Sequence, residues 1–194
     1  FNINIYQETE TIVEEYMKMS RSIFEQFNLN EQQMEQFSLI EEQMRTIPDL
    51  IPSSIVLSSI FLALGSLWLS FKMMNRIENR KLAFPPFSQF SLPRFIIWIY
   101  LIFLIALFFT QPNTIMSVVV NNAIIILMLL VVIQGLSFVF FYGKHKNFNH
   151  AVLVVTVIIF AFLIPSLFMI GTQFLGIIDL TMNMKERIER ASGK

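Results

Sequence analysis

Three stretches of this chain, residues 50–71, 95–143 and 147–178, contain no Asp, Glu, Lys or Arg. Runs of that length cannot form the half-polar surface of a water-soluble fold. A helix needs about 20 apolar residues to cross the hydrocarbon core of a bilayer, about 30 Å thick. Composition agrees: 55% of the 194 residues are hydrophobic and 14% are charged, against about 25% charged in soluble domains. With 21 Phe, 6 Gly and no Cys, the chain is not disordered, collagenous or disulfide-built. The sequence therefore predicts an all-α integral membrane bundle.

Residues 50–72 make one span. The second stretch is too long for one helix and is interrupted by Thr110-Gln111-Pro112-Asn113, a turn signal. It divides into spans of about 94–110 and 114–142, and a fourth span covers about 149–178. At 1.5 Å per residue, 114–142 would be about 43 Å long and must tilt, protrude or break, with Gly135 one place to break. Pro165 cannot donate to the carbonyl of Ala161, so a kink is expected there. Gly171 and Gly176 are expected to loosen the end of that stretch.

The zero net charge conceals an asymmetry. Residues 1–49 hold ten acids and three bases, and residues 72–94 hold five bases (Lys72, Arg76, Arg80, Lys81, Arg94) and one acid. Basic loops stay cytoplasmic and aromatic side chains gather at the interfaces. This places the 72–94 and 143–149 loops inside and residues 1–48 outside, with Trp68, Arg94, Trp98 and Tyr142 as interfacial anchors. Four spans would also put the C-terminus outside. Lys185, Arg187, Arg190 and Lys194 argue against that, so either the last stretch does not cross fully or the tail is an exception.

Residues 1–48 read as an acidic helical hairpin. Thr11 with Glu14 and Asn30 with Gln33 fit capping boxes. Val13, Tyr16, Ile23, Phe24 and Phe27 form one apolar stripe, and Met34, Phe37, Ile40, Met44 and Ile47 form a second. Asn28-Leu29-Asn30 makes the turn, and Pro48 ends the second helix. The apolar face either packs within the protein or docks another protein.

The polar residues within the spans are Ser117, Asn121, Asn122, Gln134, Ser137, Thr156, Thr172 and Gln173. Ser117 and Asn121 share a face. The set reads either as hydrogen-bonding contacts between helices or as an uncharged polar pocket for a small solute, with Asn121, Asn122, Gln134, Ser137, Thr156 and Gln173 as candidates. Asp179 falls at the end of the last run, at the interface, and with no charge inside the spans an ion-coupled pump is not expected. His145 and His150 flank a basic loop without acidic neighbours and make a poor metal site. No catalytic triad, carboxylate dyad, phosphate loop or HExxH is present, so no enzyme, cofactor or metal is expected. A nucleic-acid surface is excluded for want of a basic stripe. Expected partners are the bilayer and either another protein or a second copy, and a small-molecule ligand is compatible with the pattern.

Three short pieces share a pattern: Phe90-Ser91-Leu92-Pro93-Arg94 at the start of a span, Gln134-Gly135-Leu136-Ser137 late in the next, and Leu175-Gly176-Ile177-Ile178-Asp179-Leu180 followed by Met184-Lys185-Glu186-Arg187. Together they resemble the YybS-like family of bacterial multi-pass membrane proteins, over most of residues 50–190. The resemblance implies a cytoplasmic-membrane protein, of which this chain is the C-terminal part, with further helices of the same protein preceding it. It also implies a distant similarity of fold to the substrate-binding subunits of energy-coupling-factor transporters and to the rod-shape protein MreD. With the uncharged polar set of the spans, the resemblance favours a solute-binding or transport-related membrane subunit; the alternative, from the acidic hairpin and the absence of a reactive constellation, is a structural or regulatory protein acting through contacts of the outer hairpin.

Overall fold

A computed structural model of the chain describes residues 4–26, 30–78, 81–111 and 114–192. Phe27, the Asn28-Leu29 part of the expected turn, Arg80, Pro112-Asn113 and Lys194 lie outside these residues. Among the described residues all regular structure is helical: α1 (Ile5–Gln26), α2 (Glu31–Arg45), α3 (Ile51–Ile77), α4 (Phe95–Leu107), α5 (Ile115–His145), α6 (His150–Leu163), α7 (Pro165–Met182) and α8 (Met184–Ala191). Two compact units are distinguished, residues 1–59 and 60–194, with the boundary inside α3.

In the first unit α1 and α2 pair antiparallel. The Tyr6 hydroxyl donates to Asp49 Oδ1 at 3.1 Å, Arg21 Nε donates to Glu41 Oε1 at 3.1 Å, and the Phe24 and Phe37 rings lie 4.5 Å apart. Val13, Met17 and Phe37 are buried. Glu41 is buried as well, because the bidentate Arg21 partner replaces its water. The packed faces are thus rotated from the expected stripes, and Tyr16, Ile23, Met34, Ile40 and Ile47 are exposed. Asn30 and Gln33 form the expected capping box. Thr11 does not cap: α1 starts a full turn earlier, with Asn4 Oδ1 accepting from the Tyr6 amide. The Thr11 hydroxyl bonds back to the Gln7 carbonyl, the mid-helix habit of Thr. After α2 a single 3-10 turn, Pro48–Leu50, leads directly into α3.

α3 ends at Ile77, eight residues before Pro85. The Asn75 side chain takes both the amide and the carbonyl of Leu82, each at 2.7 Å, and the Phe71 and Phe84 rings meet at 5.2 Å. This amide clamp turns the chain before the prolines are reached.

In the second unit Ile97 and Tyr100 of α4, Val131 of α5 and Leu180 of α7 form the buried core. α5 is unbroken for 31 residues, about 46 Å. Gly135 does not interrupt it; the missing side chain is used for packing instead. A Cβ on Gly135 would fall 1.8 Å from the Thr172 carbonyl oxygen, and one on Gly176 would fall 2.0 Å from that of Val131. α5 and α7 therefore cross backbone against backbone, as small residues permit in membrane helices. α7 likewise runs straight through Gly171 and Gly176.

The stretch expected as a single span of 149–178 is two helices. Ile164 leaves the helical region (φ −138°, ψ 65°) and Pro165 opens α7, where its missing N–H costs nothing. Leu153, Val157 and Phe160 of α6 line one groove of about 340 Å³ together with Phe168, Gly171 and Leu175 of α7. In a straight helix Leu153 and Leu175 would stand about 33 Å apart. The chain thus folds back at Ile164, and α6 and α7 form a helical hairpin.

Candidate functional site

The hairpin returns the chain to the end of the unit where α4 begins. There Asn183 takes the left-handed conformation (φ 49°, ψ 52°) that closes α7 and starts α8, a conformation Asn tolerates better than most residues. The reversal lets Asp179 Oδ1 accept from the Lys185 amide at 3.1 Å, so a side chain of α7 caps the first turn of α8. Arg94, immediately before α4, donates from Nε to Asn183 Oδ1 at 2.8 Å.

Behind this turn lies a buried polar network. Gln134 is 1% exposed, Ser137 0% and Asp179 4%, values that oblige each polar atom to have a partner. Gln134 Nε2 donates to Asp179 Oδ2 at 2.6 Å, and Gln134 Oε1 accepts from the Leu92 amide at 2.9 Å. The Ser137 hydroxyl lies 2.7 Å from the Phe87 carbonyl and 2.8 Å from that of Phe90, and its single proton serves one of them. Its oxygen accepts from Lys185 Nζ at 2.7 Å. The same ammonium donates to the Phe90 carbonyl at 2.7 Å and lies 3.7 Å from Asp179 Oδ2, so all three of its donors are directed. Burial pushes the Lys185 ammonium below the ordinary lysine value of 10.5, against the opposing pull of the Asp179 carboxylate. Among the described residues every buried side-chain nitrogen and oxygen has a partner.

Of the residues singled out in the sequence, Gln134 and Ser137 belong to this network. The others do not join them. Asn122 donates to its own helix at the Val118 carbonyl, 2.7 Å away. Gln173 meets the Tyr100 hydroxyl. Thr156 lines the apolar groove between α6 and α7, and Asn121 is half-buried. Ser117 is not an intramembrane partner of Asn121: it forms a reciprocal capping box with Thr114 at the start of α5. The six candidates therefore do not converge on one polar pocket. Trp68, Trp98 and Tyr142 are exposed, with Lys72 above the Trp68 ring and Lys146 above the Tyr142 ring, 5.0 and 5.8 Å from the centroids.

Asp179 and Lys185 are the buried ion pair that sequence reasoning missed. Asp179, expected at the end of the last run, is 4% exposed and enclosed by protein, so the described residues hold a buried ion pair. The available signal was the i, i+6 spacing of an acid and a base across Asn183, a residue suited to a left-handed turn.

Three contacts keep α8 beside the basic loops. Lys185 reaches Phe90, Arg94 reaches Asn183, and Glu189 and Ser192 of α8 share a cavity with Lys144 and His145 at the end of α5. The arrangement can fasten the C-terminal segment; among the described residues no group of three or more His, Cys, Asp or Glu is placed to hold a metal.

Residues 1–180 match the family described as predicted membrane protein DUF2232. A relative from Bacillus subtilis (strain 168), described as uncharacterized protein YybS, is 27% identical over 141 residues, covering 72% of this chain and 45% of the relative. This chain thus spans less than half the length of that relative. No solved structure matches.

Proposed function

Because the chain belongs to the DUF2232 family of predicted membrane proteins, we propose that it acts in the membrane through protein contacts, as a structural or regulatory component of a bacterial cytoplasmic-membrane assembly. The observation that carries this reading is in α1. Ile5, Ile12, Tyr16, Met19 and Ile23 are all exposed and recur at i, i+7, i+11, i+14 and i+18. On a helix these positions fall within about 60° of one another, a seam of the width used in coiled coils. It is separate from the Val13–Met17 face that packs on α2. Glu8 and Glu15 flank the seam on one side, within a segment of ten acids and three bases. The fitting partner is an amphipathic helix whose apolar face is bordered by Lys or Arg. The alternative, a solute-binding or transport-related subunit, draws on the uncharged polar residues of the spans, and four of these, Asn122, Gln134, Ser137 and Gln173, are engaged here in bonds between and within helices.

In the same proposal α3, α4 with its flanking turns, and α5 cross the bilayer. Among these, α3 and α5 have the length and apolar composition for it, as does α7, whereas α4 and α6 are shorter. α6 and α7 are joined by the reversal at Ile164 rather than by a straight continuation. The α6–α7 hairpin then enters and leaves on one side. This puts residues 1–48 outside and both basic loops and the C-terminus inside, in keeping with the positive-inside rule.

Site-specific photo-crosslinkers at Tyr16 and Met19 in native membranes test the contact reading. A discrete adduct that is lost with Tyr16→Glu/Met19→Glu, while the same probe at Glu14 gives none, is the expected result. Equal, diffuse labelling from all three positions, or a co-purifying soluble metabolite with no adduct, would favour the transport reading instead.

A further inference from the structure

At the basic end of α5 two cavities adjoin, of about 460 and 580 Å³, sharing Ser88, Lys144 and Asn147 as walls. The first has mixed walls with most of the polar groups, adding Gln89, His145, Glu189 and Ser192 beside Phe141. The second is aromatic and aliphatic, adding Phe87, Phe140, Phe148 and Leu153. Asn147, at φ 56°, makes the sharp turn that returns the Phe148 amide to the Gly143 carbonyl at 2.9 Å and so opens the space between α5 and α6. The second cavity is held by ring contacts: Phe140 stands 5.6 Å from Phe87 and 5.7 Å from His150. The transition from the uncharged run of α5 to Lys144-His145-Lys146 passes between the two cavities.

We propose that this pair of cavities is a site for one phospholipid with an anionic headgroup, its phosphate at Lys144 and Ser88 and an acyl chain over Phe140 and Leu153. The volumes lie in the range of small-molecule sites, about 300–1,000 Å³, and polar and apolar walls meet where an amphiphile changes character. The Glu189 carboxylate and Ser192 hydroxyl on the α8 wall favour a headgroup that carries its own O–H donors, as phosphatidylglycerol does, over choline. This inference is independent of the hairpin reading, since its residues all belong to the second unit.

The test is thermal unfolding of the purified full chain in detergent supplemented with phosphatidylglycerol, phosphatidylcholine or inorganic phosphate. Phosphatidylglycerol is expected to raise Tm well above the phosphatidylcholine value, and phosphate alone is expected to leave it unchanged. Lys144→Gln should lose that phosphatidylglycerol-specific rise and keep its Tm in phosphatidylcholine, since Lys144 is exposed. Native mass spectrometry of both proteins should show one retained phosphatidylglycerol in the parent and none in the variant. Equal shifts with the two lipids, an undiminished rise in Lys144→Gln, or a full shift with inorganic phosphate would each overturn the proposal.

Discussion

The Asp179–Lys185 pair decides how the C-terminal segment is held. The side chains are 3% and 13% exposed, so removing one partner leaves a desolvated charge behind, at a cost of about 3–5 kcal/mol. Lys185→Met should therefore destabilise the protein by that order, and Asp179→Leu/Lys185→Met should recover much of it, measured as a double-mutant cycle in detergent. A second expectation concerns pH. The folded state holds the Lys185 proton less tightly than the unfolded chain does. Between the lowered pKa and 10.5 the unfolded chain binds more protons, so this group's contribution to stability rises with pH across that window. Chemical denaturation at several alkaline pH values should show a rising component in the parent that is absent in Lys185→Met. Little of this was legible beforehand. Gln134 and Ser137 stood out because polar side chains in an apolar run demand partners, but their partners lie 45 and 48 residues away. Periodicity carries no information at that separation.

At the scale of helices, existence was more legible than boundaries or contacts. Gly135 read as a point to break and Gly176 as a loosened end, yet both admit a neighbouring backbone, because a lone glycine in a helix looks the same whether it bends the chain or admits a neighbour. The two roles separate experimentally. Gly135→Ala and Gly176→Ala must push the α5 and α7 backbones apart and should each destabilise by about 1–3 kcal/mol or more. Gly65→Ala and Gly171→Ala face open space and should be neutral or stabilising by up to about 1 kcal/mol through helix propensity. Thermal unfolding of the four variants checks this, and equal destabilisation by all four would contradict the crossing. The caps show the same limit. Asn30–Gln33 matched its box, but Thr11–Glu14 satisfied the same pattern inside a helix already begun at Ile5. Pro165 marked the break between α6 and α7, yet a proline alone cannot distinguish a kink from a reversal. The reversal depends on Ile164 leaving helical space, which no residue type there announces.

For the whole molecule, the long charge-free runs made the membrane class and the all-helical fold readable at once, and the family match accords with the membrane class. The number of crossings was not readable, because four apolar stretches count as four spans only if each is straight. The basic C-terminal residues that contradicted the four-span count become consistent once α7 returns to the start of α4, where Arg94 meets Asn183 and Lys185 meets Phe90. The proposed topology therefore turns on which side of the membrane α8 occupies. The chain has no cysteine, so a single introduced thiol reports without background. Glu10→Cys and Ser192→Cys should be treated with a membrane-impermeant maleimide, on intact cells and then on permeabilised ones. The fold-back account predicts that position 10 labels in intact cells and position 192 labels only after permeabilisation; labelling of position 192 in intact cells would mean that the last stretch crosses the membrane, and would contradict it.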